Sequence, residues 1–300
     1  MRPRCYVCCP AYAVHGPIDR DRIVHSIKRF TDHAGYELVL SPLLDQHLGH
    51  GAWLPEAERI ADIKRALGHE MIWAARGGYG SVHLVDAVLG ERVERAPILI
   101  GYSDLTILHA CWRKRGWRES LYGSIPSQIE GSRGGETLAK ALLGEGFVRD
   151  ESTDRAVQVL RPGEARGTLA VACLSVLAGL CGTPAQPDLS GCILAIEDVD
   201  ERAFMIDSAL QQLRRAGVLD GVVGLVGGSF TNQEKPDYAG PSVTDVLRAW
   251  GKALAIPTLA RLPFGHLNDG LILPWGRATV LRAQGDGDWS LTISARSKRA

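Results

Sequence analysis

The sequence predicts an α/β protein: a Rossmann-like parallel-sheet domain in the N-terminal half, then a smaller C-terminal α/β domain with a strand-rich end. Three observations predict it. Short apolar runs alternate with stretches of helical period from Cys5 to about Arg115, the period is lost between about Gly131 and Gly167, and two strand-like runs flank a Gly/Asp turn near the C-terminus. Strands apolar on both faces and separated by helices belong to parallel sheets covered on both sides. The domains expected are residues 1–150 and residues 165–300.

In chain order, Cys5 to Cys9 reads as a buried strand, and Asp19 is placed to cap a helix with Ile23, Ile27 and Phe30 on one face. Tyr36 to Leu40 is the second strand. Pro55, Glu56 and Glu58 start a helix whose apolar stripe is Ile60, Ile63 and Leu67. Met71 to Ala75 is a third strand, Val82 to Leu89 a short helix, Ile98 to Ile100 a fourth strand and Leu105 to Arg115 a helix. Arg161-Pro162-Gly163 is the clearest break in the aperiodic stretch, which reads as a linker. Beyond it, Leu169 to Leu180 is nearly all apolar and reads as a buried helix. Cys192 to Ile196 and Val222 to Val226 read as strands. Between them lies a helix from about Arg202 to Ala216, with Ala203, Ile206, Leu210 and Leu213 inward and Gly217 at its C-terminal end. After a helix over Val243 to Trp250, Thr279 to Ala283 and Trp289 to Ile293 flank Gly285-Asp286-Gly287-Asp288 as a hairpin.

With 300 residues, 45% hydrophobic and 23% charged, the chain can bury a sizeable core. Lys and Arg number 34 and so do Asp and Glu, so no net field draws nucleic acid or anionic lipid. A small or peptide-like substrate is expected. The seven cysteines are odd in number, scattered and mostly set in apolar runs, as packed reduced thiols are. Cys5-Tyr6-Val7-Cys8-Cys9 has a metal-like spacing, but no second Cys/His pair of zinc-like spacing follows it. Pro10 interrupts the apolar patch after Arg2 and Arg4, and no apolar run of about 18 residues appears. A cytoplasmic protein with no membrane partner is expected.

The chemistry concentrates at strand ends. Ser103, in Gly101-Tyr102-Ser103-Asp104, is pinched between the strand ending at Ile100 and the helix that follows. Such a junction can hold a nucleophile on a rigid strand end, with helix N–H groups toward an oxyanion. It is only half of a G-x-S-x-G elbow, since Leu105 stands where the second glycine would be, and a plain helix cap is the competing reading. A serine hydroxyl needs a base, and the base an orienting acid. His109 lies six residues along the helix, about 9 Å of rise from Ser103, too far to serve. His266 lies in the glycine-flanked loop Pro263-Phe264-Gly265-His266-Leu267-Asn268-Asp269-Gly270 and reads either as a side chain placed in a cleft or as a solvated bystander; His15, His25, His33, His47, His50, His69 and His83 have no comparable framing. Glu197 ends a strand and would point into the crevice where α/β proteins bind ligands; Asp198, Asp200 and Glu201 beside it read either as a Mg²⁺ cluster or as a charged helix start. Arg76-Gly77-Gly78-Tyr79-Gly80-Ser81 fails as a dinucleotide fingerprint, because His83 stands at the third glycine. It reads either as an oxyanion loop or as a tight turn.

Taken together, these stretches resemble the LD-carboxypeptidase (muramoyltetrapeptide carboxypeptidase) family of serine peptidases. The resemblance runs over nearly the whole chain. It is carried by Ala75-Arg76-Gly77-Gly78-Tyr79-Gly80, Gly101-Tyr102-Ser103-Asp104-Leu105-Thr106, Leu174 to Pro184, Ile196-Glu197-Asp198-Val199 with Glu201, and Pro263-Phe264-Gly265-His266. It implies Ser103 as nucleophile, His266 as base, Glu197 as orienting acid, and oxyanion donors near Gly78 and Asp104. It further implies an active site in the cleft between the two domains, no metal or other cofactor, a homodimer, and release of a terminal D-amino acid from a murein tetrapeptide in cell-wall recycling. Two departures, Tyr122-Gly123-Ser124 where His-Gly-Pro is usual and Gly167-Thr168-Leu169 where Gly-Asn-Leu is usual, miss the triad and bear on the substrate cleft. Two alternatives stay open. One is a microcin C-type self-immunity peptidase cutting an aminoacyl-nucleotide amide, with Trp275 or Trp53 as an aromatic shelf; the other is a non-catalytic nucleotide- or sugar-binding module.

Overall fold

The computed structural model describes residues 2–46, 53–117, 120–125, 130–231, 238–285 and 287–297; His47, His50 and Asp286 lie outside the described residues. The N-terminal half forms the expected parallel sheet. Its strands are β1 (Arg4–Cys8), β2 (Glu37–Leu40), β3 (Met71–Ala74), β4 (Ile98–Gly101) and β5 (Ser120–Tyr122), in the spatial order β5-β4-β3-β1-β2. They are hydrophobic because helices cover both faces: α1 (Pro17–His33), α2 (Glu56–Ala66), α3 (Val85–Gly90) and α4 (Thr106–Lys114). Cys5, Cys8 and Cys9 are buried within this packing, as are Ile23, Ile27 and Phe30 of α1 and Ile63 and Leu67 at α2, while Ile60 is half-buried. Helix α1 begins at Pro17 with Gly16 as its cap. Asp19 therefore falls in its first turn, where it accepts from the His15 backbone N–H at 3.3 Å.

The aperiodic stretch is not a bare linker. It holds α5 (Arg133–Leu142), β6 (Phe147–Asp150) and β7 (Gln158–Arg161). Helix α5 starts where Ser132 Oγ accepts the Gly135 N–H at 2.9 Å, a cap that the glycines and charges of this region conceal in sequence. The helix expected over Leu169 to Leu180 is a second correction. Leu169 to Cys173 form the end of the long strand β8 (Gly163–Cys173), and only α6 (Leu174–Ala178) is helical. Leu169, Ala170, Val171 and Ala172 are all 0% exposed in mid-sheet, and an apolar run buried on both faces has no period that separates helix from strand.

The chain continues through β9 (Cys192–Val199), α7 (Ala203–Arg215), β10 (Gly224–Thr231), α8 (Val243–Leu254), β11 (Thr258–Ala260), β12 (Leu273–Trp275), β13 (Ala278–Gly285) and β14 (Asp288–Ile293). The second sheet has the order β6-β14-β13-β8-β9-β10-β11-β7. Its centre, β8 to β11, is parallel and its flanks are antiparallel, with β13 and β14 forming the expected hairpin. Two features lock the halves together. Strand β12 leaves the second half to pair antiparallel with β5 of the first sheet, and the Cys173 N–H donates to Thr106 Oγ1 at 3.0 Å. The C-terminal ends of β3, β4 and β5 thereby face that of β9.

Candidate active site

Ser103 stands one residue beyond β4, after Tyr102, and takes φ +62°, a left-handed conformation that costs a non-glycine residue about 1–3 kcal/mol. Surrounding bonds hold it there. The Ser103 N–H donates to the Tyr122 hydroxyl at 3.0 Å, and Asp104, buried beneath, accepts the Ser81 N–H at 2.8 Å. Burial raises the Asp104 carboxyl pKa, and the Ser81 bonds pull it back down. The turn also needs bare neighbours. A Cβ on Gly101 would lie 2.8 Å from Leu105 Cγ, and one on Gly77 would lie 3.0 Å from Ser103 Cβ, so the loop after β3 presses against the serine. Leu105, standing where the second elbow glycine would be, is fully buried beneath the turn.

Glu197 lies two residues before the end of β9, which runs on to Val199 rather than stopping at Ile196; it is 0% exposed, and its two oxygens have three donors. Oε2 accepts from His266 Nδ1 at 2.7 Å and from the His266 backbone N–H at 3.2 Å, while Oε1 accepts from the Tyr122 hydroxyl at 2.6 Å. A carboxylate only accepts, so Nδ1 carries the proton and Nε2 keeps its lone pair. The approach of the His266 loop depends on Gly265, which has φ +104° and whose Cβ would fall 2.4 Å from Glu197 Oε2. The Tyr102 ring lies 5.0 Å from that of His266.

Ser103, His266 and Gly78 line one cleft of about 800 Å³, together with Arg76, Tyr102, Ser124 and Asn268. Gly78 has φ +120° and packs against Tyr12, leaving no room for a side chain. The sequence reading sets Tyr122 clear of Ser103, Glu197 and His266, whereas its hydroxyl touches both Ser103 and Glu197. Burial and the neighbouring Glu197 charge push its pKa well up, so it stays a protonated donor. In the structure Tyr122 ends the short strand β5 beside the serine strand, where it pairs with Gly101. The other departure lies in the sheet interior: a Cβ on Gly167 would strike the Gly191 carbonyl at 2.3 Å.

The remaining candidates have structural employment. Asp198 is buried, accepting from Ser175 N and Oγ at 2.8 and 3.1 Å, so it anchors the start of α6; no group of three metal-ligating side chains converges among the described residues. His109 is buried with Nε2 2.9 Å from the Gly101 carbonyl; burial takes its pKa down to about 4, so it is neutral. Trp275 stacks on His109 at 6.0 Å and is 2% exposed, which rules it out as a ligand shelf. Trp53 is exposed, 5.4 Å from both Tyr79 and His83. No helix among the described residues is long and apolar enough to cross a membrane.

A strained serine on a strand-to-helix turn, sharing a cleft with a carboxylate-held histidine from a second α/β sheet, defines a class of two-sheet hydrolase-like proteins. Residues 5–123 match the model of the LD-carboxypeptidase N-terminal domain, and residues 166–281 that of its C-terminal domain. A Streptomyces coelicolor relative, assigned by name to the carboxypeptidases, is 34% identical over 284 residues, covering 90% of this chain and 89% of its own. The murein tetrapeptide carboxypeptidase of Pseudomonas aeruginosa is 26% identical over 238 residues, covering 75% and 77%. The solved structure of the microcin C7 self-immunity protein MccF with aspartyl sulfamoyl adenosine superposes with a TM-score of 0.75 at 18% identity, covering 99% and 97%. The chain belongs to the LD-carboxypeptidase family.

Proposed function

We propose that this protein is a serine carboxypeptidase that hydrolyses the amide between an L-centre and a terminal D-amino acid, releasing D-alanine from a murein tetrapeptide during cell-wall recycling. The observation that carries the reading is the 2.7 Å bond between Glu197 and His266 Nδ1, made in the cleft that also holds the strained Ser103. Ser103 Oγ attacks the scissile carbonyl as His266 Nε2 takes its proton. Glu197 fixes the imidazole tautomer and stabilises the imidazolium. The backbone N–H groups of Gly78 and Asp104 receive the oxyanion, each worth about 3–4 kcal/mol of barrier. The imidazolium then protonates the leaving amine, an acyl-enzyme remains on Ser103, and water attacks it with His266 again as base. This chemistry needs no metal or cofactor. The same reading has two domains, residues 1–150 and 165–300, in a cytoplasmic homodimer.

The test is intact-mass analysis of a murein tetrapeptide after incubation. Loss of one D-alanine by the wild type, and a drop of several orders of magnitude with Ser103→Ala at unchanged fold, is the expected result. Near-normal release by Ser103→Ala removes the nucleophile assignment. An aminoacyl-sulfamoyl adenosine incubated in parallel separates the microcin-type activity, and saturable binding without turnover of either compound would favour a binding module.

A further inference from the structure

The catalytic cleft carries an unbalanced positive charge. Among the charged side chains lining it are Asp19, Arg22 and Arg76. Asp19 and Arg22 neutralise each other through an Nη2–Oδ1 contact of 2.5 Å. Arg76 has no such partner. Its guanidinium is half-buried, Nη1 donates to the Ala13 carbonyl at 3.2 Å, and the Tyr12 ring lies 6.0 Å from Cζ. Among the described residues no carboxylate comes within 4.0 Å of it. Burial pulls the Arg76 pKa down, opposed by the more distant Asp19, as expected of a cation removed from water without a contact counterion. Of the five N–H donors of a guanidinium, the described residues use one.

The position of this cation relative to the serine makes it informative. Arg76 directly precedes Gly77, whose backbone is packed against Ser103 closely enough that a Cβ would stand 3.0 Å from the serine Cβ. In a C-terminal residue the carboxylate carbon lies about 2.5 Å from the leaving nitrogen, across N–Cα and Cα–C. A substrate with its scissile carbonyl at Ser103 therefore carries a planar anion close to the serine, within the cleft that Arg76 also lines. A guanidinium fork fits a carboxylate with two parallel N–H···O bonds. We propose that Arg76 binds the free terminal carboxylate of the departing residue and so makes the cleft selective for the last amide of a chain. This rests on the peptidase reading of Ser103 but assigns a different part of the site.

The experiment measures binding in a Ser103→Ala background by calorimetry, so that affinity is read without turnover. The ligands are the murein tetrapeptide as free acid and as C-terminal carboxamide. Ser103→Ala is expected to bind the acid between about tenfold and a hundredfold more tightly than the amide. Adding Arg76→Met should bring that ratio close to one, Arg76→Lys should retain part of it, and Arg22→Met should leave it standing. An acid-to-amide ratio that survives both Arg76 substitutions overturns the proposal, as does its loss in Arg22→Met or a failure of Ser103→Ala to bind either peptide. A carboxylate preference that depends on Arg76, found together with no hydrolysis by the wild type, would sink the peptidase reading and leave the anchor in place.

Discussion

Replacing Tyr122 by Phe removes one oxygen from a fully buried ring and tests whether Ser103 and Glu197 are coupled. That hydroxyl accepts the Ser103 N–H at 3.0 Å and donates to Glu197 Oε1 at 2.6 Å. Loss of a hydrogen bond to a charged group costs about 1.5–3 kcal/mol, and a buried N–H left without an acceptor costs about 1–3 kcal/mol more. Unfolding in urea should therefore show Tyr122→Phe destabilised by about 2.5–6 kcal/mol, the lower end applying if water enters the vacated space. Glu197 keeps both bonds from His266, so the base stays oriented. The serine turn, held at φ +62°, loses the bond that fixes its N–H. A displacement of the nucleophile by about 1 Å can cost about a hundredfold in rate, so kcat should fall between about tenfold and a hundredfold. KM should move little, because the hydroxyl lies beneath the site and not on the cleft surface. The assay is D-alanine release from murein tetrapeptide over a range of concentrations. A variant within twofold of wild-type kcat and less than about 1 kcal/mol less stable would refute the coupling.

Two further outcomes follow from the same geometry. Gly265→Ala places a Cβ 2.4 Å from Glu197 Oε2 on a backbone at φ +104°, so the His266 loop must withdraw; hydrolysis should fall at least about a hundredfold, and wild-type rates would show that the loop is not held as described. His109 concerns pH. Its pKa is about 4 in the folded state against about 6.5 in an unfolded chain, so the unfolded state binds the extra proton. Its contribution is present above about pH 6.5 and fades as pH falls toward 4, by about 3 kcal/mol in all. His109→Gln should lose less stability than wild type across that window in urea titrations, and parallel curves would count against a neutral buried histidine.

Much of this was legible in the sequence, for physical reasons that differ by region. Four of the first five strands are short apolar runs bounded by turn residues, and their alternation with periodic helices points to a parallel sheet directly; β5, only Ser120–Tyr122, carries no such run. Ser103, Glu197 and His266 could be picked out because each stands near a strand end or beside a glycine that permits close approach. Strand β8 misled for the opposite reason: buried on both faces, its second half shows neither a two-residue nor a helical period. Helix α5 was concealed by Arg133, Gly134 and Gly135 at its start, residues of the kind that usually mark a loop. Tyr122 escaped because hydroxyl function is invisible when the partners, Ser103 and Glu197, lie 19 and 75 residues away.

The distribution of the site over the chain has a consequence for how it is kept in register. The serine and glycine loop belong to the first sheet, and the acid and histidine to the second, so their relative position depends on the packing of the two. A single flexible hinge would let the Ser103-to-His266 distance drift at little cost. Three bridges oppose that drift, and all sit close to the candidate site: β12 pairs with β5 immediately beside Tyr122, Tyr122 bonds across to Glu197, and Cys173, which pairs with Glu197 in the sheet, donates its N–H to Thr106 at the start of α4. The bonds that dock the halves are thus the ones that align the reactive groups. A change that weakens the docking here acts directly on the Ser103, Glu197 and His266 groups, so the phenol of Tyr122, and not a surface contact, is the place to perturb it.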